Sequence, residues 1–277
     1  MNYTLNVRGR LLQLEGGVVM GILNATPDSF YAGSRQQTEH DVARRACQIA
    51  EEGGTIIDVG ACSTRPDAPV ASEDEELHRL RTALATVRRE LPDTVLSVDT
   101  YRPTVARMAV EEFGADIIND VGAPAGSAPR QRQQMFQTVA RLGVAYVLMS
   151  AESTLRSMMP ALAADVQTLR SMRQKDIIID PGFGFGKTLE QNYRVLSRMD
   201  QLGILGLPVL AGLSRKSMVY RLLGQTPEEA LNGTTALHML ALERGASILR
   251  VHDVRQAVEC CRLWHATQQA KIQTEQA

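Results

Sequence analysis

Cysteine is scarce in this chain: Cys47, Cys62, Cys260 and Cys261 are all there is, and none forms a CxxC pair. That spacing argues against a structural zinc site, and the thiols read as reduced side chains of a cytoplasmic protein. An excess of one charge is also missing. The formal net charge is -1 with both signs scattered, so the basic face of a nucleic-acid binder is absent. A small anionic ligand stays compatible, since a few placed cations suffice for it. No apolar run approaches the roughly 20 residues of a membrane span. Residues 1–15 mix polar and apolar side chains and do not read as a secretory signal. No Ser-His-Asp or paired-carboxylate signature stands out.

What is present is a rhythm. The 277 residues, 44% of them hydrophobic, suffice for one large core. Residues 3–14 read as a small hairpin turning at Gly9. Short runs rich in Val, Ile and Leu then alternate with amphipathic stretches. The runs cover residues 18–23, 56–59, 95–98, 116–118, 144–149, 177–179, 209–213 and 248–251. Few charges interrupt them, as expected of parallel strands buried on both faces. Helix-like segments cover 40–52, 74–90, 102–113, 189–199 and 231–244, and Asp253 is a good N-cap for a last helix. The expectation is an α/β fold: a single-domain (β/α)8 TIM barrel over residues 17–267, with an N-terminal hairpin (1–16) and a C-terminal tail (268–277). A doubly wound sheet is the alternative. It would carry a Gly-rich phosphate fingerprint after its first strand, where this chain has Asn24-Ala-Thr-Pro-Asp28. Residues 123–130 and 151–160 read as irregular.

Each run stops at a polar residue: Asn24, Asp58, Asp99, Asn119-Asp120, Ser150, Asp180, Ser214-Arg-Lys-Ser217, then Arg250 and His252. One such residue means little, because Asp and Asn end strands by starting turns. Eight together match an enzyme site built from the C-terminal ends of barrel strands. Arg250 and His252 lie two apart and so share a side of their strand. They either bind a phosphate-like anion, or Arg250 pairs with a carboxylate inside the barrel. The 214–217 segment opens a helix that favours an anion. Lys216 there is a hydrogen-bonding cation or a Schiff-base lysine. Residues 181–188 come close to a Walker loop, but Pro181 stands where its first glycine belongs. The glycines either let backbone approach a ligand, with Phe183 or Phe185 exposed for stacking, or make a tight turn with both rings on the core.

In order, Met20-Gly-Ile-Leu-Asn-Ala-Thr-Pro-Asp-Ser-Phe30, Asp58-Val-Gly-Ala-Cys-Ser-Thr-Arg-Pro66, Ser97-Val-Asp-Thr100, Ile118-Asn-Asp120, Ile179-Asp-Pro-Gly-Phe-Gly-Phe-Gly-Lys187, Ser214-Arg-Lys-Ser217 and Arg250-Val-His252 resemble the dihydropteroate synthase family of pterin-binding enzymes. The resemblance spans nearly the whole chain. It implies a (β/α)8 transferase of folate biosynthesis. The family's reaction joins 4-aminobenzoate to a dihydropterin carrying a diphosphate leaving group. It implies pterin contacts at Asp99, Asn119, Met149, Asp180, Gly212 and Lys216. Thr64, Pro66, Phe185 and Ser217 match positions around aminobenzoate. Asn24, Arg65, Arg250 and His252 match the diphosphate site. Asn24 matches a ligand for magnesium, Mg2+. Asp28 and Arg65, grouped with Lys216 as catalytic, lie in two loops that close over the family's site. Sulfonamide inhibitors and a homodimer are further implied partners, with no nucleic acid and no membrane. Asp58 and Asp120 read as structural strand ends, and Ser150 has no assigned role. The chain departs from the family at Ser150, where many members have His, and at Cys62, where Glu is common. The segment between the fifth and sixth barrel strands looks short, which predicts a trimmed fifth helix. The rivals are a folate-to-corrinoid methyltransferase domain, which would not need Arg65, Arg250 and His252, and a binding-only homologue, which would have lost loop residues.

Overall fold

The computed structural model describes residues 3–25, 35–62, 71–122 and 128–276. Asp28, Phe30, Thr64, Arg65 and Pro66 lie outside the described residues. The chain opens with an antiparallel hairpin, β1 (Thr4–Val7) and β2 (Arg10–Gln13). Its two turn residues, Arg8 and Gly9, both have positive φ, 49° and 80°. That is the turn geometry whose twist matches the strands it joins.

Eight parallel strands follow: β3 (Val18–Asn24), β4 (Ile56–Gly60), β5 (Val95–Asp99), β6 (Ile117–Asp120), β7 (Ala145–Met149), β8 (Ile177–Asp180), β9 (Val209–Ala211) and β10 (Ala246–Val251). Each pairs with its sequence neighbour, and β10 closes on β3. Closure rules out the doubly wound alternative. Between the strands run α1 (Arg35–Glu51), α2 (Glu73–Glu90), α3 (Pro103–Phe113), α4 (Ala128–Leu142), α5 (Leu155–Ser171), α6 (Leu189–Ser197), α7 (Ser217–Leu223) and α8 (Leu231–Glu243). The last helix, α9 (Val254–Gln276), continues through the residues read as a tail.

The strands alternate their side chains between two cores. Outward residues such as Val59, Val98, Ile118 and Leu249 pack under the helices. Inward residues such as Met20, Ile56, Ile117, Ile178 and Ile248 fill the barrel, joined by Leu5, Val7 and Leu14 of the hairpin region. The hairpin therefore plugs the barrel's N-terminal end. Arg8 locks it there, its Nε 2.9 Å from Asp116 Oδ1 and its Nη2 on the carbonyls of Asp93 and Thr94. With that end sealed, the open C-terminal end is left for a ligand.

One expectation is corrected. Residues 155–160 are helical, and α5 runs a full 17 residues rather than being trimmed. Thr154 caps it by accepting from Ser157 N. Pro160 removes one backbone donor from the second turn. Burial of Met158, Leu162, Val166 and Leu169 along one stripe outweighs that loss, at roughly 1.5–3 kcal/mol per large side chain. Likewise α4 begins at Ala128, inside the segment read as irregular up to Arg130.

Candidate active site

The site lies one pleat above the apolar filling of the barrel. Ile56, Ile117, Ile178 and Ile248 face inward. Two residues further along the same strands stand Asp58, Asn119, Asp180 and Arg250, and Asp99 follows Ser97 in the same way. Strand register brings Gly60, Asp99 and Asn119 side by side, and sets Met149 beside Asp180.

Asp58 is the hub. It is fully buried and accepts from Ser97 Oγ at 2.6 Å, Asn119 Nδ2 at 3.0 Å and Arg250 Nε at 2.6 Å. Arg250 also reaches Asp99 through Nη2 at 2.6 Å. The ion-pair alternative for Arg250 is therefore present in the structure. Burial works against its charge, but Asp58 and Asp99 outweigh that and raise its pKa. Asp99 is pushed up to about 7, chiefly by burial and against the pull of Arg250. Asn119 Oδ1 is buried and has no hydrogen-bond partner. One of its amide hydrogens is donated to Asp58, and Oδ1 is left as an unmet acceptor.

Asp180 is buried at the end of β8 and accepts from Gly182 N at 2.7 Å. Burial raises its pKa, opposed by Lys216. Gly182 has φ 66°, and a Cβ there would lie 2.4 Å from Ser150 O, so only glycine fits this turn. Lys216 precedes α7. Its Nζ donates to Phe183 O and lies 4.7 Å above the Phe185 ring. Burial lowers its pKa to about 8, with Asp180 opposing. The two phenylalanines divide the roles open to them: Phe183 is fully buried in the outer core, and half-buried Phe185 forms a platform under the lysine. Gly212 lines the same space, where a Cβ would come 3.6 Å from Lys216 Nζ. Met149 is buried at the wall, and Ser217 opens α7 half-buried.

Asn24 is exposed at the end of β3. His252 is exposed at the rim, with Nδ1 3.0 Å from Ser214 Oγ. That hydroxyl also accepts from His252 N at 3.1 Å, so Ser214 holds both the backbone and the ring of His252. Packing of the ring and then the charge of Arg250 pull the imidazole down to about 4, which favours its neutral form. Arg215, by contrast, turns away to Asp253 through two 2.8 Å contacts.

Asp120 accepts from Tyr146 Oη at 2.7 Å and Gly122 N at 2.8 Å. Ser150 builds the loop after β7, its Oγ accepting from Glu152 N. Sequence reasoning missed Lys187, whose Nζ gathers the carbonyls of Ser150, Gly182 and Phe185 at 2.9–3.4 Å. The Gly-Lys that suggested a phosphate loop instead binds its own turn. Also missed were buried Glu76 and Arg102. Glu76 accepts from Cys62 Sγ at 3.3 Å, while Arg102 pairs with Glu76 and donates to Ala71 O at 2.6 Å. Burial and Glu76 push the Cys62 thiol up to about 11, which keeps it protonated.

A plugged barrel with a buried tier of carboxylates, an amide and a lysine at its open end has the layout of a barrel enzyme's active site. Residues 20–252 match the pterin binding enzyme family. Dihydropteroate synthase of Escherichia coli strain K12 is 36% identical, over 96% of this chain and 97% of that protein. The structure of Xanthomonas albilineans dihydropteroate synthase with 4-aminobenzoic acid is 37% identical with a TM-score of 0.87, covering 97% of this chain and 99% of that one. The same enzyme in complex with 7,8-dihydropteroate gives 36% identity and a TM-score of 0.82, over 96% and 99%. The chain belongs to the pterin-binding enzymes and, among them, to the dihydropteroate synthases, transferases of folate biosynthesis.

Proposed function

We propose that this chain condenses 6-hydroxymethyl-7,8-dihydropterin diphosphate with 4-aminobenzoate, giving 7,8-dihydropteroate and diphosphate, with the polar tier as the pterin seat. The observation that carries the seat is Asn119 Oδ1, a buried acceptor without a partner. An unmet buried acceptor costs about 1–3 kcal/mol, which a ligand N–H recovers. Asp180 keeps oxygen capacity for the pterin amino group and adjacent ring N–H. Lys216 donates to the pterin carbonyl and neighbouring ring nitrogen. Met149 and Gly212 border the ring.

The diphosphate leaves with the carbon–oxygen bonding pair, and the cation left behind spreads into the pterin. The neutral arylamine then attacks the methylene carbon and loses one proton. No strong base is needed, in keeping with the residues present. His252, at the rim, is proposed to donate a hydrogen bond to the departing anion. Two nitrogens of Arg250 hold carboxylates, and its third is proposed as a donor to the anion. Asp28, Arg65, Thr64 and Pro66 are proposed to complete the site from outside the described residues, Arg65 on the diphosphate and Thr64 and Pro66 with Phe185 and Ser217 on aminobenzoate.

Magnesium is proposed at Asn24. The side chain offers one hard, neutral oxygen at the rim. That donor set fits Mg2+, which prefers substrate phosphate and water to a full protein cage. When bound, it shares the charge of the diphosphate. No helix among the described residues is long and apolar enough to cross a membrane, in keeping with a cytoplasmic enzyme. A homodimer is proposed too. Exposed Leu222 and Leu223 of α7 and Leu240 of α8 offer apolar surface for it, and light scattering tests it.

Diphosphate release from the pterin diphosphate, 4-aminobenzoate and magnesium tests the function. Folded protein that yields no dihydropteroate by mass spectrometry refutes it. Sulfonamides mimic aminobenzoate and are expected to compete with it. A rate unchanged by sulfonamide at low aminobenzoate contradicts the assignment. The lysine also predicts a pH profile. Lys216 loses its charge as pH rises through about 8. The kcat/KM for pterin diphosphate is therefore expected to fall above that pH, and Lys216→Arg moves the basic limb upward. A wild-type profile flat to pH 10 excludes the charged lysine as the donor.

A further inference from the structure

The Asn119 amide has one orientation open to it. A carboxylate that holds a guanidinium offers only acceptors, and Asp58 Oδ2 lies 3.0 Å from Asn119 Nδ2 and 2.6 Å from Arg250 Nε. Turning the amide over would set two acceptors against each other with no hydrogen between them. Asp58 is itself held on three sides, by Ser97, Asn119 and Arg250. Nδ2 therefore gives one hydrogen to Asp58, and Oδ1 remains a buried, unmet acceptor.

We propose that Asp58 is a positioning residue that locks Asn119 with Oδ1 toward the ligand, and that this lock selects the 7,8-dihydro form of the pterin over the fully oxidised form. The inference rests on the pterin reading above. With Asp180 on the amino edge and Lys216 on the carbonyl edge, the pterin edge left for Asn119 carries N1 and N8. In the dihydro ring N8 bears a hydrogen and N1 a lone pair. The planar amide offers Oδ1 for the first and its second Nδ2 hydrogen for the second. In oxidised pterin N8 has no hydrogen, so its lone pair meets Oδ1, one bond is lost and a repulsion replaces it. Asn119 selects by its atoms, and Asp58 selects by preventing the turn that would present the amide the wrong way round.

The test is calorimetric binding of 6-hydroxymethyl-7,8-dihydropterin and 6-hydroxymethylpterin under anaerobic conditions. Wild type is expected to bind the dihydro form at least tenfold tighter. Asp58→Asn removes the lock, and the ratio is expected to narrow to threefold or less, mainly through weaker dihydropterin binding. Should that variant fail to fold, Asn119→Ala gives the answer, since it leaves Asp58 paired with Arg250 and should also abolish the preference. A merely structural role for Asp58 would weaken both ligands alike and leave the ratio unchanged. Equal binding of the two forms by wild type, or a tenfold ratio surviving in Asn119→Ala, overturns the inference while leaving the synthase reading intact. Binding of neither form overturns the pterin reading and this inference with it.

Discussion

Lys216→Ala is expected to lower kcat for dihydropteroate formation by about 10²–10³-fold, the usual loss when one preorganised donor is removed from a closed site. The melting temperature should hold, because the variant deletes a cation whose charge burial already disfavours. The lysine is preorganised from three directions: its Nζ donates to Phe183 O, its charge lies 4.7 Å over the Phe185 ring, and a Cβ at Gly184 would come 3.1 Å from its Cδ. Such a side chain is in place before substrate arrives, so little is spent on ordering it during the reaction. Asp180→Ala should also largely abolish activity at limiting pterin, but through a different constant. It removes the acceptor for the pterin amino edge, so KM for the pterin rises, and it leaves Gly182 N unpaired. Asp180→Asn restores the Gly182 contact yet turns an amide donor toward pterin donors, so it should recover stability without recovering affinity. Steady-state kinetics with thermal melts separate these effects. Near-normal rates in both alanine variants would refute the site.

The barrel was legible because closed parallel strands leave a plain record. Runs such as Ile56–Val59 are apolar on both faces, and each is followed by a helix long enough to return the chain. The polar tier was legible for the same reason: one pleat separates Ile178 from Asp180 and Ile248 from Arg250, so the change from filling to site falls at the ends of the runs. What could not be read was which tier members face one another. Asp58 and Arg250 are 192 residues apart. Taken alone, Asp58 is a strand-end aspartate, a residue with a local explanation in turn formation. Only barrel closure shows it as the hub of Ser97, Asn119 and Arg250. Helix α5 was underestimated because Pro160 is a strong local breaker, whereas the stripe at Met158, Leu162, Val166 and Leu169 gains its stability from the barrel it covers. Glu76 and Arg102 were missed because one lies within a helix and the other at the start of one, and they pair with each other across 26 residues, beside a thiol and a loop carbonyl.

Arg250→Ala is expected to destabilise the fold by about 3–5 kcal/mol, the cost of leaving buried charge without its partner. Two carboxylates lose their shared cation, Asp58 with a fully buried side chain and Asp99 with one 12% exposed. The loss should depend on pH. Asp99 has a folded pKa of about 7 even with Arg250 present, above the roughly 3.9 of an unfolded aspartate. Between those values the folded state holds a proton that the unfolded state has released, so stability falls as pH rises through that window. Without Arg250 the folded pKa climbs further, and the deficit should widen between pH 6 and pH 8. Urea melts at the two pH values measure it. Stability equal to wild type at pH 8 would show that the triad carries no buried charge worth neutralising. Neutralising the whole triad, with Asp58→Asn and Asp99→Asn added to Arg250→Met, should return much of the stability, because a buried ion pair often gives little net gain over uncharged packing. It should not return activity. Stability recovered without activity would mark the charges of the tier as kept for what it binds: Asp58 to aim Asn119, and Arg250 to oppose the rise in the Asp99 pKa and to meet the leaving diphosphate.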